Sequence, residues 1–334
     1  MHAPDGFLNA GTAVASGAIS AGTIGASLRR ARHKLMDRQV PLAGLAAAFI
    51  FAAQMFNFPV AAGTTGHLLG GALAAILLGP SLGSIVVAVV VVVQALAFAD
   101  GGLTALGYNV LDMAIVTSFG GFALFRGFRK LVPPTTGGVM VATGLSAALS
   151  VVLAAMTFSI LWLFGASAPV PFDKVFASMV GVHALIGIGE GAISALAVGA
   201  VMASRPDLVY GIRDMDRSRL GERRPVRTRA FVLSVLAVAL VFAVVVSQFA
   251  APAPDGLEKV AQDSGFAPSA QDHALSGALF ADYATAGVAN ETLSLAIAGA
   301  AGVVITLAVG AGILYAVRER RSEAEPDLSG AVES

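Results

Sequence analysis

The 334-residue sequence contains no cysteine, which excludes disulfides and thiolate metal sites and leaves nitrogen and oxygen donors for any transition metal. Charge is sparse: only 13% of residues are charged, and 21 Lys and Arg balance 21 Asp and Glu. No basic surface therefore points to nucleic acid. No G-x-x-x-x-G-K-[ST] phosphate loop is present, so any dependence on ATP has to come from a partner chain. Histidine occurs five times, at positions 2, 33, 67, 183 and 273.

What the sequence has in abundance is apolar surface. Hydrophobic residues make up 56% of the chain and the mean hydropathy is +0.80, beyond what a soluble core absorbs. Runs such as Leu82 to Ala99 and Phe231 to Ala251 carry no interior charge and reach roughly the 20 residues a helix needs to cross a bilayer. Nine spans are expected, at about 7–28, 39–58, 66–79, 83–99, 107–125, 138–165, 174–204, 230–251 and 292–316. The third is too short for a full crossing, which predicts a break or a re-entrant piece. The expected fold is an all-α integral membrane protein, with a seven-helix bundle followed by a two-helix transmembrane hairpin. Residues 1–204 form the bundle, 205–229 a basic linker, and 230–334 the hairpin, which encloses an outer loop at 252–291.

Nineteen of the 21 basic residues fall on alternate connections: Arg29 to Arg38, Arg126 to Lys130, Arg205 to Arg229 and Arg318 to Arg321. The positive-inside rule assigns these to the cytoplasm, so the N-terminus is expected outside and the C-terminus inside the cell membrane. Met1 to Asn9 has no Lys or Arg. It lacks the basic start of a signal peptide and is expected to be retained.

An exposed amino-terminal Met-His can chelate. The amine of Met1, the amide nitrogen of His2 and the imidazole Nδ1 of His2 are consecutive donors in fused rings, leaving one in-plane position that His67 could fill. Only a strongly polarising late transition metal displaces an amide proton, and an all-nitrogen planar set favours Ni(II) or Cu(II) over Zn or Mg, with Co(II) open if further ligands join. Met1, His2 and His67 are therefore the candidate metal ligands. Asn57, Thr64, Asn109 and His183 are candidates for orienting them. His33 and His273 read as solvated loop residues. Asp112 and Glu190 fall inside spans, where a carboxylate is costly unless it has a partner or a function. The pairs Gly70-Gly71, Gly101-Gly102 and Gly120-Gly121 read as packing sites rather than nucleotide loops.

Several stretches resemble one family. Met1-His-Ala-Pro-Asp-Gly-Phe-Leu8, Gly63-Thr-Thr-Gly-His67, Gly71 to Pro80, Phe98 to Gly107 with Asn109, and His183 to Gly191 are similar to the CbiM/NikM family. These are the substrate-specificity components of cobalt and nickel energy-coupling-factor transporters. Pro254-Asp-Gly-Leu-Glu258 is similar to the CbiN/NikN component, so the chain looks like a fusion of the two. The resemblance implies a site made by the Met1 amine, the amide and ring of His2 and the ring of His67, with Ni(II) or Co(II) as transported substrate. It implies two partners, a CbiQ/NikQ-like transmembrane coupling subunit and a CbiO/NikO-like ATP-binding subunit, and no enzymatic activity of the chain's own. Tyr108 and Asp112 depart from the family pattern around Asn109, and the run after Gly66 looks more like the nickel branch. The competing readings are a proton-coupled secondary transporter using Asp112 and Glu190, and a scaffold or sensor acting through its outer loop.

Overall fold

A computed structural model describes residues 1–34, 39–61, 63–216 and 226–322. Arg38, the central part of the linker (217–225) and the tail from 323 lie outside them. The fold is all-α apart from one two-residue antiparallel pair, β1 (Phe58–Pro59) with β2 (Thr65–Gly66).

The elements run α1 (Ala10–Lys34), α2 (Gln39–Gln54), α3 (Gly71–Leu78), α4 (Pro80–Ala97), α5 (Leu106–Asn109), α6 (Thr117–Phe128), α7 (Thr136–Gly165), α8 (Phe172–Ser204), α9 (Thr228–Val244), α10 (Gly256–Ser264) and α11 (Glu291–Ser322). A π-helical turn, Val110–Val116, joins α5 and α6 into one span. Among the described residues six helices are long and apolar enough to cross a membrane: Pro80–Ala97, Leu106–Phe128, Thr136–Gly165, Phe172–Ser204, Thr228–Phe249 and Glu291–Glu319. The remaining expected spans differ from these. α1 is Ser-, Thr- and Gly-rich and carries Arg29, Arg30 and Arg32 near its end, α2 is apolar but shorter, and α3 has 8 residues.

The third expected span is a broken element. After β2, residues 67–70 enter the bundle as irregular chain before α3 starts at Gly71. Gly70 and Gly79 bracket α3 with φ of 82° and 93°, a left-handed backbone that L side chains avoid. Pro80 follows as the first residue of α4, where its missing N–H costs nothing. α4 then folds back on α3 so closely that a Cβ on Gly83 would lie 2.6 Å from the Ala75 nitrogen.

The exposed N–H groups at the start of α3 find a carboxylate. Leu69 and Gly70 donate to Oε2 and Oε1 of Glu190 at 2.6 and 2.9 Å, and Glu190 is fully buried on α8. A negative group at a helix N-terminus meets both the unpaired donors and the positive end of the helix dipole. α8 presents one buried stripe, including Met179, His183, Ile186, Gly187, Glu190, Gly191 and Ser194. It packs on α7 through small residues: a Cβ on Gly187 would lie 2.6 Å from Ala148 O, and one on Gly191 2.6 Å from Gly144 O. Such approach is how helices associate where lipid removes the hydrophobic drive.

The C-terminal hairpin docks on α2 by the same device. A Cβ on Gly302 of α11 would lie 2.0 Å from the Phe51 ring, and one on Gly44 of α2 would lie 2.9 Å from Leu307 O. α9 and α11 also meet each other, with Gly299 against Ala243 O. The segment between α9 and α11, including α10, is thereby held over the end of the bundle where the chain begins.

Glu190→Ala leaves two buried N–H groups unpaired and is expected to cost about 2–4 kcal/mol. Glu190→Gln, which keeps one acceptor, is expected to cost roughly half of that. Thermal unfolding in detergent micelles checks the order of the three proteins.

Candidate metal centre

Residues 1–9 are not the start of a span; they form an irregular strand threaded into the bundle. Much of this strand is buried, and many of its polar groups find partners in the bundle. Asn109 clamps Ala3 from both sides, Oδ1 accepting from Ala3 N and Nδ2 donating to Ala3 O, both at 3.0 Å. Gly102 N donates to Ala3 O at 3.0 Å. The Asp5 carboxylate accepts from Leu103 N, Thr104 N, Thr104 Oγ1 and Ala105 N at 2.6–3.2 Å. Tyr108 donates its hydroxyl to Pro4 O at 3.2 Å. Gly101 and Gly102 form the turn that permits this: φ of Gly101 is 83°, and a Cβ on Gly102 would sit 2.2 Å from Asp5 N.

The threading brings Met1, His2 and His67 together. The Met1 nitrogen lies 2.5 Å from His67 Nε2, and the rings of His2 and His67 stack with centroids 5.2 Å apart and planes at 17°. His67 is 6% exposed and Met1 5%. His67 belongs to the loop before α3 rather than to a helix end, and its Nδ1 lies 3.0 Å from Leu68 O. A carbonyl only accepts, so Nδ1 carries the proton and Nε2 presents its lone pair toward Met1.

His2 is fixed by a longer chain of reasoning that starts at a carboxylate. Tyr283 donates its hydroxyl to Asp100 Oδ2 at 2.6 Å, so its oxygen accepts from Gln94 Nε2 at 3.1 Å. Gln94 Oε1 then faces His2 Nε2 at 3.0 Å and can only accept. His2 therefore carries its proton on Nε2 and leaves Nδ1 free, 3.4 Å from Asp100 Oδ1. Burial lowers the His2 pKa to about 4 against the raising effect of Asp100, with the Met1 ammonium lowering it further. Its ring is thus neutral at pH 7, the form in which Nδ1 can donate to a metal. Ala99, Asp282 and Tyr283, all near this network, have φ of 54°, 52° and 58°; non-glycine residues held there concentrate at functional sites.

One group was not anticipated. Asp255, from the Pro254-Asp-Gly-Leu-Glu258 stretch, accepts from the Met1 ammonium at 2.7 Å and lies 3.7 Å from His67 Nε2. Its other oxygen caps α10 by accepting from Glu258 N at 2.8 Å. Burial opposes ionisation of Asp255, but the Met1 ammonium outweighs it and holds the carboxyl well below its usual range. Its loop is tied to the bundle by Thr65, whose N donates to Pro254 O at 2.9 Å and whose hydroxyl donates to Ala253 O at 2.9 Å.

Of the four residues expected to orient the ligands, Asn109 holds the N-terminal strand rather than His67. Thr64 is buried but lies in the turn before Thr65, which makes the loop contact in its place. Asn57 is half-buried, and its carbonyl accepts from Ala251 N at 2.8 Å; no contact brings it to Met1 or His2. His183 lines a small cavity together with Met1 and His67. His273 accepts from Leu275 N within the outer loop, and the side chain of His33 lies outside the described residues. Among the described residues no three His, Asp or Glu side chains are grouped as a metal centre. A metal at Met1 would therefore need main-chain nitrogen.

A helical membrane fold that buries its own N-terminal amine against two imidazoles and a carboxylate defines the class: a multi-pass membrane protein with an internal, nitrogen-rich site. The family description "Cobalt uptake substrate-specific transmembrane region" (CbiM) matches residues 2–208, and "PDGLE domain" matches residues 229–319. The chain belongs to the CbiM family, joined to a PDGLE domain. It is 35% identical to a putative fused nickel transport protein NikMN of Archaeoglobus fulgidus, covering 93% of this chain and 97% of that one. It is 43% identical to a putative metal transport protein of Haloquadratum walsbyi, over 63% of this chain and 94% of the relative, and 33% identical to the cobalt transport protein CbiM of Geobacter sulfurreducens, over 72% and 71%. A crystal structure of a transition metal transporter superposes with a TM-score of 0.54 at 27% identity, covering 64% of this chain and all of that one.

Gly102→Ala tests the docking of the N-terminal strand, because its Cβ cannot coexist with Asp5 at 2.2 Å. The expected outcome is rapid hydrogen exchange at the Ala3 amide, with the helices of the bundle still protected.

Proposed function

We propose that this chain is the metal-binding membrane subunit of an ATP-driven importer for a divalent transition metal, nickel in preference to cobalt. The observation that carries the reading is the convergence of the Met1 nitrogen, His2 and His67 with both imidazole tautomers set to present the required lone pairs. With the His2 amide these make four nitrogen donors, and a planar nitrogen set suits Ni(II). The names of relatives lean the same way, since two fused relatives are named nickel transport proteins.

Charge supports the assignment as well. A dication in a buried site is costly unless neutralised. Loss of the His2 amide proton supplies one negative charge, and Asp255 stands within 3.7 Å of His67 Nε2 to supply another. When the ion arrives, the Met1 ammonium gives up its contacts to His67 and Asp255, loses a proton to solvent and turns the resulting amine lone pair to the metal. Asp255 then balances the bound ion in place of the ammonium. The PDGLE domain thus completes a site whose nitrogen donors all come from the first 67 residues.

ATP hydrolysis falls to a CbiO/NikO-like partner acting through a CbiQ/NikQ-like coupling subunit, because the chain has no phosphate loop of its own. The site lies on the outer side of the cell membrane, with the basic linker and the C-terminus inside. The proton-coupled reading keeps one observation in its favour, the buried Asp112 with an unpartnered Oδ1 in the π-helical turn. Glu190, its other carboxylate, is already occupied in capping α3.

The donor set yields distinct expectations, each read by titrating Ni(II) into purified protein with a native N-terminus. One added residue before Met1 converts the amine to an amide and is expected to abolish tight binding. His67→Ala is expected to weaken binding by orders of magnitude. Asp255→Asn, which removes a charge but no nitrogen donor, is expected to weaken it about tenfold to a hundredfold. Acidification is expected to release the ion, because protons compete for amine, amide and imidazole alike; affinity independent of pH contradicts this set.

A further inference from the structure

His2 and His67 follow one rule. Each spends one ring nitrogen on a fixed acceptor and turns the other, unprotonated, into the site. His183 obeys the same rule. Its Nδ1 lies 2.8 Å from Met179 O, one helical turn back along α8, and a carbonyl can only accept, so the proton is on Nδ1 and Nε2 bears a lone pair. Among the described residues that Nε2 has no hydrogen-bond partner, and the residue is 1% exposed.

A buried, unpartnered imidazole nitrogen is costly relative to a satisfied one. An apolar residue on the α8 stripe avoids that cost. The lone pair faces a cavity lined by Met1, His67, Leu69, Ile186 and Gly256. Gly256 keeps its mouth open, since a Cβ there would lie 3.0 Å from His183 Cε1 and 3.2 Å from Nε2. On the same buried stripe, two turns further along α8, Glu190 holds the start of α3. His183 therefore stands between the N-terminal donors and the broken helix.

We propose that His183 Nε2 is a transfer ligand: it takes a divalent transition-metal ion from the Met1 and His2 donors into the cavity while His67 remains bound. This rests on the metal-carrier reading above. The exchange breaks the bonds from the ion to the Met1 amine, the His2 amide nitrogen and His2 Nδ1 and forms one to His183 Nε2, and the released amide nitrogen takes back a proton from solvent. The ion stays divalent throughout, and no redox partner is required. In the resting protein the ion sits on the four-nitrogen set and His183 is free.

The test is a double-mutant cycle on the full chain in detergent micelles, with Co(II) as probe because its visible absorption reports its ligands. His183→Gln alone is expected to change Co(II) affinity less than about threefold, since it leaves the resting set intact. In a His2→Ala background, which breaks the chelate, the ion is expected to fall back on His67 and His183. There His183→Gln is expected to remove a further factor of about ten and to change the residual spectrum. Gly256→Ala, which closes the cavity in front of Nε2 without altering the ring, is expected to act as His183→Gln does in the same background. Equal effects in both backgrounds mean a structural histidine and overturn the proposal, as does no further loss in the double variant. A large loss from His183→Gln alone overturns it too, by making His183 a resting ligand. Absence of Co(II) and Ni(II) binding by the unmodified chain instead removes the metal-carrier reading itself.

Discussion

Burying a chain terminus imposes the constraint from which the end of the bundle around Met1 follows. The Met1 amine is charged, brings hydrogen-bond donors, and is attached to a strand whose backbone groups are also out of water. Each has to be met inside the fold. Asn109 and Gly102 meet Ala3, the 103–105 turn meets Asp5, and Asp255 meets the amine. What results is a terminus held rigidly enough for its own nitrogen atoms to serve as ligands, with no entropy of a loose tail to lose at binding.

The same constraint explains why two domains share one site. The carboxylate opposite Met1 comes from the PDGLE domain, 254 residues away along the chain, and Tyr283 of the same outer loop sets Asp100 and Gln94, which set His2. The hairpin that carries this loop grips α2 through Gly302 and Gly44. Removing the loop would therefore unsettle both the charge and the ring orientation at the N-terminus. α3 is organised by a parallel principle, with a half-length helix starting inside the bundle and Glu190 at its positive end.

Much of this was legible in the residues. Apolar runs without charge identify the long spans, and Met1, His2 and His67, named from the sequence, are the residues that the structure brings together. The short third span was readable as a break because residues 66–79 are too few to cross; that Gly70, Gly79 and Pro80 bracket the half-length helix emerged from the structure. Asp255 was visible only as part of a motif, since nothing local says that a loop charge meets a terminus. Glu190 was open because its partners are main-chain N–H groups, which leave no mark in sequence. Asn57 and Thr64 were placed near the ligands by proximity to His67 along the chain, whereas the backbone turns at β1 and β2 hand the loop contact to Thr65. The π-helical turn at Val110–Val116 has no sequence signal that we can name.

The most direct test of the account is X-ray absorption at the nickel edge on the loaded chain with an unmodified N-terminus. Four nitrogen donors in a plane around Ni(II), with the imidazole scattering of two histidines, is the result predicted. A six-coordinate shell dominated by oxygen would contradict the proposal that the protein's first two residues and His67 hold the metal.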